Sequence, residues 1–173
     1  MLRLAAALEP LGLEVIRFNF PYTEKRSRRI DPMPVLKARF VSEIHGAKAR
    51  PLIIGGRSMG GRVASMLAAE GLECDGLLLA AYPLHPAGEP AKLRHAHLPR
   101  IRCPVLCLNG SRDALCRREL MEEALTKVQA PWTMHWIEGA DHSFHVLRSS
   151  GRSDGDVDQE VKEAVGSWLA QSL

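Results

Sequence analysis

The chain is expected to fold as an α/β domain, a mostly parallel sheet with helices on both faces, and three features of its sequence point there. Short β-branched or aromatic runs alternate with stretches of helical periodicity along its 173 residues. Two of those runs, GLLLAAY at 76–82 and CPVLCLNG at 103–110, are nearly free of polar side chains, as strands buried on both faces are. A glycine cluster, GGRSMGG at 55–61, joins an apolar run to a small-residue periodic stretch, the junction of a strand feeding a helix.

The opening MLRLAAALEPLGLEV reads as an amphipathic helix. Arg3 and Glu9 interrupt its apolar stretch, whereas a signal peptide needs about 7–15 continuous apolar residues. LEVIRFNF at 13–20 has strand composition and stops at Pro21. After a basic loop over 21–34, VLKARFVSEIHGAKA (35–49) sets Val35, Phe40, Val41 and Ile44 at helical spacing. LIIGG (52–56) is a short strand, and RVASMLAAE (62–70) a helix ended by Gly71. The strands at 76–82 and 103–110 follow, the second with Pro104 tolerated at its start. RRELMEEALTKV (117–128) is a helix, WTMHWIEG (132–139) a strand and 156–173 a closing helix, with SSGRSDGD (149–156) a surface loop. The order is β-α-β-α-β-loop-β-α-β-α, read as one domain over 1–173.

Composition excludes several function classes. A net charge of +3 is too weak to argue for nucleic acid, and Lys25-Arg26-Ser27-Arg28-Arg29 is a solvated loop rather than a phosphate grip. No apolar run approaches the roughly 18 residues that span a membrane. Cys74, Cys103, Cys107 and Cys116 lack the paired spacing of a zinc site and read as buried thiols of a cytoplasmic protein. His95, His97, His142 and His145 have no matching carboxylate or cysteine set, so no metal and no cofactor is expected. The expected partner is a small-molecule substrate; a protein partner stays open, and the oligomeric state is not legible.

The glycine cluster poses a chemical question, because Ser58 stands in it between a strand and a helix. In a parallel sheet, ligands meet the carboxyl ends of the strands. Gly56 and Gly60 are expected to remove the Cβ atoms that would collide with a side chain held outward at so tight a turn, and Gly61 to bring helix close to strand. The N–H of Met59, at the helix start, would face an oxyanion formed beside Ser58. A tight-packing or anion-binding turn is the plainer alternative. Two later loops argue for catalysis, since a serine nucleophile needs a base and the base an orienting acid. Asp113 follows the strand ending near Asn109, and His142 the strand ending near Ile137. Asp141 and His145 compete for these roles, with Asp113 and His142 preferred.

GGRSMGG, NGSRD and GADHSF resemble the nucleophile elbow, acid loop and histidine loop of the α/β-hydrolase superfamily. With RFNFPY and AYPLHPAGEPAKLRHAHLP the likeness extends to small dienelactone-hydrolase-like proteins, grouped with a testis-expressed protein and a subunit of a histone-acetyltransferase regulatory complex. The resemblance implies an α/β-hydrolase fold with Ser58 as nucleophile, Asp113 as acid and His142 as general base. Dienelactone hydrolases proper use cysteine, so serine here implies a different substrate. The resemblance fails at the start, where relatives carry a strand and a His-Gly-rich loop that supplies a second oxyanion donor. The family fold is therefore expected in N-terminally truncated form, either because the start is misassigned or because the chain is short. The loss would leave a slot of about 9–10 Å between 13–20 and 52–56.

The function expected is a serine hydrolase, esterase- or thioesterase-like, working through a Ser-His-Asp triad and an acyl-enzyme, its activity impaired if the second donor is lacking. The alternative is a non-catalytic interaction module on the same scaffold. Acyl transfer to an acceptor other than water shares every residue with hydrolysis. The 83–101 connection, with His85, Lys92, Arg94, His95 and His97, is either a solvated loop or a preference for an anionic substrate.

Overall fold

The computed structural model describes residues 2–47 and 50–173. The last two positions of the helix expected over 35–49 and the first of the opening helix lie outside them. A first helix, α1 (Leu2–Leu8), runs into a 3-10 turn at Glu9–Leu11. Then follow a one-turn α2 (Pro21–Glu24) and α3 (Met33–Ile44). The alternating part comprises β1 (Ile53–Arg57), α4 (Met59–Ala69), β2 (Gly76–Ala80), β3 (Val105–Gly110), α5 (Arg118–Leu125), β4 (Trp132–Ile137) and α6 (Asp154–Ser172). All strand pairs are parallel, in the spatial order β1-β2-β3-β4. Every carboxyl end therefore lies on one rim.

The two near-continuous apolar runs are the central strands, buried at every position. Their side chains divide by the two-residue strand period. Leu77, Leu79, Val105 and Cys107 join one core layer with Leu36, Phe40, Val63 and Leu67 of α3 and α4. Leu78, Ala80, Leu106 and Leu108 join the other, with Val157, Val161, Val165 and Trp168 of α6. Burying each such side chain contributes roughly 1.5–3 kcal/mol, so these layers fix which face each helix takes. The packing follows from sequence: α4 buries small residues, among them Gly61, Ala64, Ser65 and Ala68, and at Gly61 approaches β1 closely. A capping box between Ser153 and Asp156 starts α6, two residues before the expected position. Among the described residues no helix is long and apolar enough to cross a membrane.

The strand expected over 13–20 does not form. Among the described residues the segment has no regular secondary structure and joins no strand ladder, and a cleft of about 800 Å³ is lined by Gly12–Arg17 on one part and Leu52–Gly56 on another. β-branched and aromatic residues suit a pleated, half-buried surface, but a strand exists only where a neighbour takes its backbone hydrogen bonds. Packing holds the segment instead. Phe18 meets Phe20 and Phe40 edge-on, with ring centroids 5.7 and 5.2 Å away, while Ile16 stays 59% exposed. The slot expected between 13–20 and the first paired strand is thus present as an open cleft, and β1 is an edge strand.

The cysteines divide into two kinds. Cys107 and Cys116 are buried as expected, whereas Cys74 and Cys103 are only half-buried.

Candidate active site

Ser58 ends β1 and begins α4. Its N–H extends the sheet ladder to Ala80 O (2.8 Å), while its carbonyl already accepts from Arg62 N (3.0 Å). Changing from strand to helix within one residue forces φ 52° and ψ −115°, a backbone region that non-glycine residues rarely occupy. The close approach this requires is measurable at the glycines. A Cβ on Gly56 would lie 2.8 Å from Gly60 C, and one on Gly61 would lie 2.7 Å from Gly56 O. The part assigned to Gly60 needs correction: a Cβ there would meet nothing within 4 Å. The necessary pair is Gly56 and Gly61; Gly60 contributes the backbone that Gly56 must clear.

Because the strands run in sequence order, the carboxyl ends of β1 and β4 are three spacings apart, about 14 Å. The loop after β4 must therefore lean back across the rim to bring His142 to Ser58. Several bonds hold it in that pose. Arg112 N donates to Ala140 O (2.9 Å) and Ser111 N to Ile137 O (3.0 Å), stitching the loops after β3 and β4 together. Gly110 permits this, since a Cβ would fall 2.2 Å from Ala140 O. Ala140 and Val146 form an antiparallel bridge, and Asp141 Oδ1 accepts from the N–H groups of Ser143 (2.7 Å) and His145 (3.1 Å). Arg57, the residue before Ser58, donates through Nη2 to the carbonyl of His142 at 2.7 Å.

The three side chains singled out from sequence converge. The Ser58 hydroxyl lies 2.9 Å from His142 Nε2, and His142 Nδ1 lies 2.8 Å from Asp113 Oδ2. An ionised carboxylate only accepts, so Nδ1 carries the proton and Nε2 is left to accept from the hydroxyl. Asp113 is 4% exposed, and its burial is compensated. Oδ1 accepts from Leu115 N (2.8 Å), and Oδ2 also accepts from Asn109 Nδ2 (3.3 Å). Met59 opens α4, an eleven-residue helix, so its N–H has no intrahelical acceptor and stands at the positive end of the dipole.

The competing residues are engaged elsewhere. Asp141 caps its own loop, and His145 Nδ1 bonds Asp154 Oδ1 at 2.9 Å. In the 83–101 connection, His85 is buried, donating from Nδ1 to Pro86 O (2.9 Å) and accepting at Nε2 from Arg117 N (3.2 Å). His97 Nε2 meets Ser65 Oγ at 2.8 Å, and burial, followed by the charges of Arg62 and Arg100, lowers its pKa to about 4. These histidines tie the connection down. Among the described residues no three His, Cys, Asp or Glu side chains gather to hold a metal ion. Sequence reasoning missed Arg57 and Asn109. Asn109 left a signal, as the polar residue closing an otherwise apolar strand; buried, it takes Tyr82 N on Oδ1 (3.0 Å) while Nδ2 reaches Tyr82 O and Asp113. Burial and then the charge of Asp113 push the Cys116 thiol up to about 12, so it stays protonated.

A cavity of about 870 Å³ is lined by Arg57 and Ser143, the chain neighbours of Ser58 and His142, together with Phe144, Val15, Phe18 and Asn19; Ser58, Asp113 and His142 themselves do not line it.

Comparison with known proteins agrees with this architecture. An alpha/beta serine hydrolase homologue from Coxiella burnetii superposes with a TM-score of 0.69 at 23% identity, covering 94% of this chain and 74% of its own. The esterase domain of a Rhodothermus marinus protein gives 0.71 at 17% identity, over 98% of this chain and 79% of that one. A dienelactone hydrolase from Anabaena variabilis gives 0.61 at 22% identity, over 88% and 66%. At these identities the likeness is one of fold. The sequence pattern of the alpha/beta hydrolase domain reaches further, matching residues 1–170. By that match, and by a parallel sheet with helices on both faces, the chain belongs to the alpha/beta hydrolase domain family.

Proposed function

We propose that this protein is a serine hydrolase that cleaves an ester or thioester through an acyl-enzyme, with Ser58 as nucleophile, His142 as general base and acid, and Asp113 as orienting carboxylate. The observation that carries the reading is the unbroken relay from the Ser58 hydroxyl through His142 to buried Asp113. As Ser58 Oγ attacks the carbonyl carbon, its proton passes to His142 Nε2. Asp113 steadies the resulting imidazolium, and the Met59 N–H faces the developing oxyanion. The tetrahedral intermediate collapses as Nε2 returns the proton to the leaving alcohol or thiol. Water then repeats the sequence on the acyl-serine, giving a carboxylic acid and free Ser58. Each step uses groups of the chain itself, and the substrate is a small molecule rather than a nucleic acid or membrane. The names of two structural neighbours, a serine hydrolase homologue and an esterase domain, favour the same reaction class.

A fluorophosphonate probe with p-nitrophenyl esters tests the reading. Wild type is expected to label stoichiometrically and turn esters over, and Ser58→Ala to do neither. A folded wild type that neither labels nor turns over overturns the proposal in favour of a docking module. Undiminished labelling of Ser58→Ala overturns the assignment of the nucleophile.

A further inference from the structure

Cys74 lies in the connection between α4 and β2, and Cys103 two residues before β3. Both are at the amino end of the sheet, the opposite end from Ser58. Leu77 stands level with Val105 in the parallel ladder, so two residues earlier Asp75 stands level with Cys103, and Cys74 is one step away. The sulfurs are already 3.5 Å apart, with the Cys74 thiol donating to Cys103 Sγ. A bond at about 2.05 Å needs a further closure of roughly 1.5 Å, within the reach of χ1 adjustments at two strand entries.

The two thiols differ chemically. The hydrogen bond from Cys74 holds the Cys103 thiol below its ordinary pKa, while the same bond and then burial raise that of Cys74. With Cys74 Sγ–H donating to Cys103 Sγ, Cys103 is the sulfur whose thiolate the contact favours, and Cys74 the proton donor beside it. Both remain partly open to solvent, unlike Cys107 (0% exposed) and Cys116 (2%). A pair of packed thiols would also give this contact; what favours reaction is that both sulfurs are in reach of solvent and of each other.

We propose that Cys74 and Cys103 form a reversible dithiol–disulfide site that reacts with small-molecule disulfides such as glutathione disulfide. The Cys103 thiolate attacks one sulfur of that disulfide, breaking its S–S bond and expelling one glutathione thiolate, which takes up a proton. Cys74 gives its proton to solvent and attacks Cys103 Sγ, expelling the second glutathione. The protein loses two electrons and two protons, and one glutathione disulfide becomes two glutathiones. The cross-link then pins together the entries of the two central strands, β2 and β3.

The test is incubation of the folded 173-residue chain with glutathione disulfide, followed by thiol blocking and peptide mass spectrometry. The expected product is a single Cys74–Cys103 linkage, two thiols fewer per chain, Cys107 and Cys116 still free, and full reversal by dithiothreitol. In Cys74→Ser one glutathionyl adduct should accumulate on Cys103; in Cys103→Ser no linkage should form. Circular dichroism confirms that each variant is folded, with Cys→Ala replacements serving where a serine variant is not. Thiols left unreacted, a wild type that stops at the mixed disulfide, or a linkage through Cys107 or Cys116 would each overturn the proposal.

Discussion

Arg57 and His142 are 85 positions apart in sequence, yet the guanidinium of one donates to the backbone carbonyl of the other at 2.7 Å. The bond ties the strand that presents Ser58 to the loop that presents His142, over the gap which the sheet order imposes. Arg57→Ala is expected to lower kcat about 100-fold, the order of loss when a reacting group is misplaced by an ångström. KM and the melting midpoint should change far less. Arg57→Lys, which keeps a donor, should recover part of the rate; an unchanged kcat in Arg57→Ala would remove Arg57 from the positioning machinery.

Asp113 and Asp141 can be told apart by the same isosteric change. An amide at 113 donates where a carboxylate accepted, so Asp113→Asn should favour the wrong histidine tautomer and lower kcat by about 10⁴. Asp141 Oδ1 accepts two backbone N–H groups, a task an asparagine oxygen performs equally well. Asp141→Asn is therefore expected to keep kcat within about tenfold of wild type by the smaller cost of an ordinary hydrogen bond. Steady-state kinetics on a p-nitrophenyl ester check both.

The glycines of the elbow make a prediction about stability. Gly61→Ala drives a methyl against the Gly56 carbonyl, and Gly56→Ala drives one against the backbone of Gly60. Each should cost at least about 1–3 kcal/mol, as overpacking does where no side chain can yield. Gly60→Ala enters open space and should be neutral, or stabilising by up to about 0.5–1 kcal/mol through the lower chain entropy of alanine. Urea midpoints of the three variants give the order directly.

His97 sets an acid limit. Its folded pKa, near 4, is below the ordinary value of 6.5, so between those pH values the unfolded chain binds a proton that the folded chain refuses. Its contribution to stability is complete above pH 6.5 and is lost as pH falls toward 4. His97→Gln keeps a polar partner for Ser65 without that titration, and should flatten the fall in urea midpoint between pH 6.5 and 4.5. An equally steep fall in the variant would assign the acid sensitivity to other groups.

What could be read from the sequence were the patterns that depend on neighbours along the chain. The apolar runs at 76–82 and 103–110 announced strands covered on both faces, and Ser58, Asp113 and His142 each followed a strand, so all three fell on one rim. The 13–20 run misled because its side chains qualify it for a sheet while its backbone finds no partner, and pairing is not written in composition. Gly60 misled because symmetry about Ser58 is a property of the string, whereas the close contact is made between Gly56 and Gly61 on the turn. Arg57 was hidden for the same reason that it matters: its acceptor is a main-chain oxygen on a distant loop, which carries no residue signature.

The open cleft along β1 leaves Ser58 at the end of an edge strand that is paired on one side only. Amides and carbonyls on that outer margin face no neighbouring strand, whereas the central strands are paired on both sides, so the margin opens at lower free energy than the core. Catalytic competence and global foldedness thereby become separable quantities. On gentle heating or in dilute denaturant, hydrolysis should fade while the tryptophan fluorescence and the bulk of the circular dichroism still report an intact protein, and the loss should reverse on return to mild conditions.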